Sequence, residues 1–318
     1  MTKKKLSIDV IILSLNRCED TIATIDGVES QIVEGVNIWV IDQGSSKYSL
    51  DYLRSNINKF KNIHLIELGR NYGVPGGRNI GIGLGKAEFI VCLDNDVILE
   101  DNDIFNKVIH RFNSDAKLGC LGFRILNFHT RDIDSLSWVY PRPLKERSNE
   151  YFLATRFCGA GHAIKRKVFD SIGGYDASLF FYWEEVDLSN KILNLGYTIA
   201  YDPDISIYHK LSPDSRVNWS DKRYYYLVRN ILYIDWKHYR KIKRIILLTF
   251  GYLTKGIYNN FFSQTMMAIK DGLIMAVRLK EATPRLSEDA IQYIAKNELA
   301  YRGNIYDRIK SEVFEKLN

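Results

Sequence analysis

The chain has 318 residues, 46% of them hydrophobic and 26% charged, enough for one large globular domain or two smaller ones with a sizeable core. Four widely spaced cysteines (Cys18, Cys92, Cys120, Cys158) exclude a disulfide framework and a CxxC site, and fit a reducing cytoplasm. The net charge of +6 is local: residues 220–282 hold 12 Lys/Arg against 4 Asp/Glu, and the remainder is close to neutral. No apolar run reaches the roughly 18 residues of a spanning helix. The basic start, Met1-Thr2-Lys3-Lys4-Lys5, leads directly into a strand and lacks the apolar region of a signal peptide.

Leu6 to Leu15 reads as a strand ending at Asn16-Arg17, and Ile22, Ile25 and Val28 mark one face of a helix. Val36 to Ile41 is a second strand, ending in Asp42-Gln43-Gly44-Ser45-Ser46. A helix over about 49–60 and a strand from Ile63 to Leu68 follow. Near-continuous apolar strands alternating with helices predict a parallel sheet covered on both faces. Such sheets bind ligands at the carboxyl ends of their strands. Asn16, Asp42, Arg70 and Asp94 all fall just past strand ends.

Gly69 to Gly81 contains five glycines, with Arg70 and Arg78. Glycine admits close backbone approach and arginine suits phosphate or carboxylate. The spacing is neither a Walker A motif nor a dinucleotide GxGxxG, and a flexible surface loop is the competing reading. The strand over 87–92 then runs into Leu93-Asp94-Asn95-Asp96. Carboxylates two apart can direct hard oxygens at Mg²⁺ or Mn²⁺, with diphosphate completing the shell. The alternative is an acidic turn capping the next helix.

A helix (about 102–113) and a strand (about 118–124) precede a polar stretch over 127–150, which is long enough for a lid or an acceptor-facing segment. A small-residue strand over 157–164 and a helix at 166–172 lead to Gly173-Gly174. Four aromatics, Phe180 to Trp183, then stand before Glu184, Glu185 and Asp187. Leu188, Ile192 and Leu195 have helical spacing and Gly196 is a stop signal. The acids therefore occupy a first helical turn. There they complement the helix dipole or, beside an aromatic wall, serve as a general base. A strand from Tyr197 ends in His209.

From Ser220 onward, Tyr, Trp, Lys and Arg mix with aliphatic residues in helical stretches. The mixture suits a helix lying on an anionic membrane surface or a helical subdomain packing on the sheet. The aliphatic content argues against nucleic acid.

In this order the segments resemble family 2 glycosyltransferases, in particular the bacterial rhamnosyltransferase-like branch that builds cell-surface polysaccharides. The resemblance rests on Ser14-Leu15-Asn16-Arg17, Val40-Ile41-Asp42-Gln43-Gly44-Ser45-Ser46, Asn71-Tyr72-Gly73 through Gly77-Arg78-Asn79-Ile80-Gly81, Leu93-Asp94-Asn95-Asp96, Trp183 to Ser189, His209, and Arg223 to Asn230. It implies a GT-A fold, an α/β Rossmann-like mixed sheet covered by helices, over residues 1–219. The nucleotide-sugar half would be about 1–100 and the acceptor half about 101–219, with a helical C-terminal region over 220–318. It implies an inverting, metal-dependent transfer from a nucleoside-diphosphate sugar to a glycan or polyprenol-linked glycan, at the inner face of the cell membrane. Donor binding falls to Asn16, Arg17, Asp42, Arg70, Gly77, Arg78, Asn79, Asp94 and Asn95. Asp94, Asp96 and His209 would hold Mg²⁺ or Mn²⁺. Glu185 would be the base, with Glu184 and Asp187 beside it and Tyr182 and Trp183 on the acceptor side. The family usually has Glu-Asp where this chain has Glu184-Glu185, which leaves Glu184 as the competing base. A homodimer fits this class, while a sugar-phosphate nucleotidyltransferase and a non-catalytic sugar-nucleotide-binding protein are the rival functions.

Overall fold

The computed structural model describes residues 8–210, 222–280, 283–304, 312–314 and 316–317. The basic Met1–Lys5 start, Ser220, and part of the C-terminal tail lie outside these residues. Strands β1 (Ile8–Ser14), β2 (Val36–Asp42), β3 (Ile63–Glu67) and β4 (Phe89–Leu93) are parallel neighbours in the order β3-β2-β1-β4. They are linked by α1 (Cys18–Glu29), α2 (Lys47–Ile57) and α3 (Gly73–Leu84). Then come β5 (Val97–Ile98), α4 (Ile104–Ser114), β6 (Leu118–Asn127), β7 (Phe152–Ala154), β8 (Gly161–Lys165), α5 (Arg166–Ser171), α6 (Glu184–Asn194) and β9 (Thr198–His209). β8 joins β4 antiparallel, β6 joins β8 antiparallel, and β9 lies parallel to β6. The sheet is therefore mixed, with four adjacent parallel strands at one side and the parallel β6–β9 pair beyond the antiparallel β8.

Both faces are covered, as the unbroken apolar strands require. Ile8, Val10 and Ile12 enter one core with residues of α1, α2 and α4. Their alternate, Ile11, enters a second core with residues of α3, α5 and α6. All four cysteines are buried free thiols. The stretch over 127–150 is pinned rather than free-standing. Tyr140 and Leu144 are buried, and Trp138 packs edge-on to Tyr201. Its polar composition concealed these anchors. Leu195 is a correction: α6 ends at Asn194, so Leu195 caps the helix and is 49% exposed.

The glycine-rich segment is a helix packed closely on the sheet. Gly81 sits where a Cβ would meet Ile11 and Ile41 at 2.8–2.9 Å, and at Gly77 a Cβ would meet Leu13 at 2.9 Å. Gly73 has φ +76°, and a Cβ there would stand 2.2 Å from the Phe180 carbonyl oxygen. These glycines let α3 approach β1 and β2 and let its N-terminus touch the loop before α6.

The C-terminal region adds α7 (Tyr224–Tyr239), α8 (Ile242–Tyr258), α9 (Phe262–Val277) and α10 (Glu288–Asn297). Leu286, Ala290 and Ile294 complete the second core, and the Tyr293 hydroxyl reaches the Ala154 carbonyl at 3.1 Å. Among the described residues, no helix is long and apolar enough to cross a membrane.

Two α3 glycines should respond oppositely to alanine. Gly83 faces open space, so Gly83→Ala should stabilise by about 0.5–1 kcal/mol through helix entropy. Gly81→Ala should destabilise by about 1–3 kcal/mol through overpacking. Denaturant titration of both variants checks this; equal shifts would mean α3 does not pack as described.

Candidate active site at the carboxyl ends of the parallel strands

Asp94 and Asp96 occupy the turn between β4 and β5. β5 pairs antiparallel with the end of β9, setting Val97 opposite His209, and Lys210 N–H donates to the Asp96 carbonyl at 2.8 Å. This pairing brings position 209 to position 96. Ligand atoms of Asp94, Asp96 and His209 lie within 4.8 Å of one another. His209 Nε2 is 3.3 Å from Asp96, and its Nδ1 is 3.2 Å from Asp134 Oδ2. Ser137 donates to the same Asp134 carboxylate. Asp134 fixes the ring through Nδ1 and leaves Nε2 directed at the acidic pair, the arrangement typical of a metal-ligating imidazole. Two carboxylates and an imidazole suit Mn²⁺ and, through the oxygens, Mg²⁺. The residues present therefore fit such an ion.

The electrostatics of this corner are tightly linked. Burial alone would lower His209, but hydrogen bonds to Asp134 and Asp96 outweigh it and push the imidazole up to about 10. Burial raises Asp96, yet the hydrogen bonds of His209 and Arg17 hold it below the usual carboxylate range. The cleft wall desolvates Asp94 and, against the pull of Arg78 and with the Asp96 charge beside it, raises its pKa.

Arg78 is the hub. It is only 2% exposed. Its Nη1 donates to Glu185 Oε1 at 3.0 Å, while Nη2 donates to Asp94 at 3.2 Å and to the Gly159 carbonyl at 2.8 Å. One guanidinium thus joins the α6 acid to the acidic turn, two segments that sequence leaves 91 residues apart (94 to 185). Glu184 faces differently. It is 3% exposed, its Oε2 has no hydrogen-bond partner among the described residues, and burial with the Glu185 charge raises its pKa well above normal.

Asp187, also in the first turn, is fully buried between Lys237 at 2.8 Å, His238 at 2.9 Å and Lys191 at 3.2 Å. Burial opposes its ionisation, but His238 and the two lysines drive its pKa far down. The cluster joins α6 to α7. The aromatic approach to α6 carries φ of +63° at Phe180, +74° at Tyr182 and +72° at Trp183. Left-handed backbone at bulky residues is costly and persists only where neighbours hold it. Asn230 on α7 supplies that hold: its Nδ2 donates to the carbonyls of Leu179, Phe181 and Tyr182 at 3.1, 2.8 and 2.7 Å.

The remaining sequence candidates fall into two groups. Asn16, Asp42 and Arg70 lie at neighbouring strand ends. Asn16 accepts from Ser46 N–H at 2.7 Å, and the Asp42 carboxylate accepts from the N–H groups of Gly44 and Ser45 at 3.0 Å each. Arg70 is exposed and lies 4.4 Å over the Tyr72 ring. The others make internal contacts. Arg17 pairs with Asp96 and, at 2.8 Å, with Asp20. Asn79 brackets Tyr175, donating to its carbonyl and accepting from its N–H at 2.9 Å each. Asn95 donates to Thr21 Oγ1 at 3.1 Å. Sequence reasoning missed Asp134, Asp20 and the Lys237–His238 pair. Nothing in local spacing marks them, because each meets its partner only through the fold.

A model of glycosyl transferase family 2 matches residues 9–173. An uncharacterized protein of Haemophilus influenzae is 29% identical over 176 residues, 54% of this chain and 94% of its own length. The dTDP-rhamnosyl transferase RfbF of Shigella flexneri is 26% identical over 56% of this chain and 64% of its own length. An Escherichia coli UDP-Glc:α-D-GlcNAc-diphosphoundecaprenol β-1,3-glucosyltransferase is 32% identical over 31% of this chain and 39% of its own length. The chain thus spans less than two thirds of these two named relatives. Among solved structures, a mannosyltransferase of Pyrobaculum calidifontis in complex with GDP-Man and Mn²⁺ superposes with TM-score 0.60, at 15% identity, over 98% of this chain and 85% of that one. GalNAc-T7 with UDP, GalNAc and Mn²⁺ gives 0.60 at 14% identity, over 98% of this chain and 58% of that one. These likenesses show the fold to be GT-A.

With His209 protonated below about pH 10, a metal ligated through Nε2 must displace a proton. Mn²⁺ affinity, read by calorimetry, should rise up to about tenfold per pH unit through neutrality, and His209→Gln should flatten the slope. An equally steep slope in the variant would remove His209 from the ligand set.

Proposed function

Given that the chain belongs to glycosyl transferase family 2, we propose that it moves a sugar from a nucleoside-diphosphate sugar, dTDP-rhamnose or a UDP-sugar, to a hydroxyl of a glycan or polyprenol-linked glycan. The transfer inverts the anomeric carbon and serves bacterial surface polysaccharide synthesis at the inner face of the membrane. The names of the Shigella and Escherichia relatives support the donor and acceptor classes. The observation that carries the reading is the Arg78 fork, which holds Glu185 beside Asp94 at the carboxyl ends of the strands.

In this reading Asn16 and Asp42 border the base and ribose, and the exposed Arg70–Tyr72 pair faces the donor. Asp94, Asp96 and His209 would hold Mg²⁺ or Mn²⁺, which when bound would neutralise charge on the departing diphosphate. Glu185 takes the proton of the acceptor hydroxyl. The acceptor oxygen attacks C1 from the face opposite the diphosphate, the new glycosidic bond forms, and the C1–O bond to the nucleotide breaks. Arg78 orients Glu185 and excludes water from its inner side. Glu184 is buried outside the Arg78 fork, and burial with the Glu185 charge disfavours its ionised form, which makes it the poorer base. Asp187 acts at one remove, fixing α6 against α7 so that the first turn keeps its direction. Tyr182 and Trp183 wall the acceptor side.

Glu185→Gln should cost about 10²–10⁴-fold in transfer while donor binding changes little, and Glu184→Gln should retain most activity. The reverse ranking, read by donor-turnover assay, would place the base one residue earlier. Asp96→Ala should abolish Mn²⁺-dependent donor binding in the same preparation; undiminished binding would remove Asp96 from the metal site.

A further inference from the structure

Half of the large hydrophobic side chains left exposed among the described residues lie between Ile242 and Val277. Scattered exposed apolar residues need no explanation, but a concentration of them does. On α8, Ile242, Ile246, Phe250 and Ile257 are 58–71% exposed, and spacings of four, four and seven place them on one stripe. On α9, Phe262, Met266, Leu273 and Val277 are 37–85% exposed and repeat the pattern. Ile257 and Phe262 stand on either side of the short turn between the helices. The inner faces are already committed. Ala268 and Ile269 are buried with α7, and a Cβ at Gly272 would stand 2.7 Å from the Arg229 carbonyl oxygen. Among the described residues the side chains of the two stripes have no such cover.

Charge identifies the occupant. Residues 241–280 contain seven Lys/Arg, of which Arg244 pairs with Asp235 and Lys255 is buried against the Glu312 carbonyl, and one acid, Asp271. That acid accepts a hydrogen bond from the Tyr225 hydroxyl at 2.7 Å. Lys243 on α8 and Lys270 on α9 are exposed on the helices that carry the stripes. A second copy of the chain would set this cationic segment against itself, because a two-fold interface is self-complementary. The combination of apolar stripes and surrounding cations matches an acyl boundary beneath anionic headgroups. Neither helix is long and apolar enough to span.

We propose that the outer faces of α8 and α9 dock on an anionic lipid surface. The apolar stripes enter the acyl boundary, and Lys243 and Lys270 meet headgroup phosphates. The helices lie in the plane of the surface and hold the adjoining α7, and through it the aromatic loop before α6, close to the lipid.

Flotation of the full chain with lipid vesicles tests this, read without donor or metal so that the result is independent of the transfer chemistry. Vesicles containing about one third phosphatidylglycerol should carry the protein, and pure phosphatidylcholine vesicles should not. Ile246→Glu with Phe250→Glu should abolish flotation. Lys243→Ala with Lys270→Ala should weaken it roughly thirtyfold, from about 1 kcal/mol per cation near the surface. Light scattering and circular dichroism on the same samples confirm a folded monomer. Absence of binding to anionic vesicles, or binding unaffected by the paired Glu substitutions, would overturn the proposal. So would a solution dimer that those substitutions dissociate, which would assign the face to a second copy.

Discussion

A single buried guanidinium ties the site together. Arg78 is almost wholly removed from solvent, and such a charge survives only with partners that satisfy it. Glu185, Asp94 and the Gly159 carbonyl are those partners. The constraint runs both ways. Loss of Glu185 would leave Arg78 Nη1 without its carboxylate, and Arg78 cannot move without freeing the α6 acid from the acidic turn. The close packing of α3 on the sheet, which its glycines permit, places Arg78 where it can span the gap.

A second layer of interactions keeps the first in place. Trp183 and Tyr182 carry left-handed backbone just before Glu184 and Glu185. Three of their loop's carbonyls are gathered by one Asn230 amide, and Asp187 locks the same helix turn to Lys237 and His238. Helix α7 is therefore part of the site's scaffold, although its composition differs from that of the segments that form the sheet. At the other side of the cleft, Asp134 performs the corresponding task for His209.

The sheet and most helix boundaries were legible because strands buried on both faces write unbroken apolar runs, and capping and glycine signals punctuate the helices. The acidic turn, the Glu184–Glu185 pair and His209 were legible as chemistry-bearing residues at the ends of elements. What local sequence could not show was the pairing. Arg78 and Asn79, read as donor contacts, are engaged inside the protein. Arg17 reaches Asp96, and the glycine-rich segment is a packed helix. Asp134 sits in a stretch whose polar character suggested a lid. Each of these depends on which strand lies beside which, above all the β5–β9 pairing, and no local spacing encodes that.

The most direct measurement is the separation of kcat from the donor KM in Arg78→Lys. Lysine keeps the charge but cannot fork between two carboxylates. With Arg78 as the residue that positions Glu185, kcat should fall about 10²-fold, the scale of a small misplacement of a reacting group, while the donor KM stays nearly unchanged. A variant with wild-type kcat and a strongly raised donor KM would contradict this, and would make Arg78 a donor-binding residue instead.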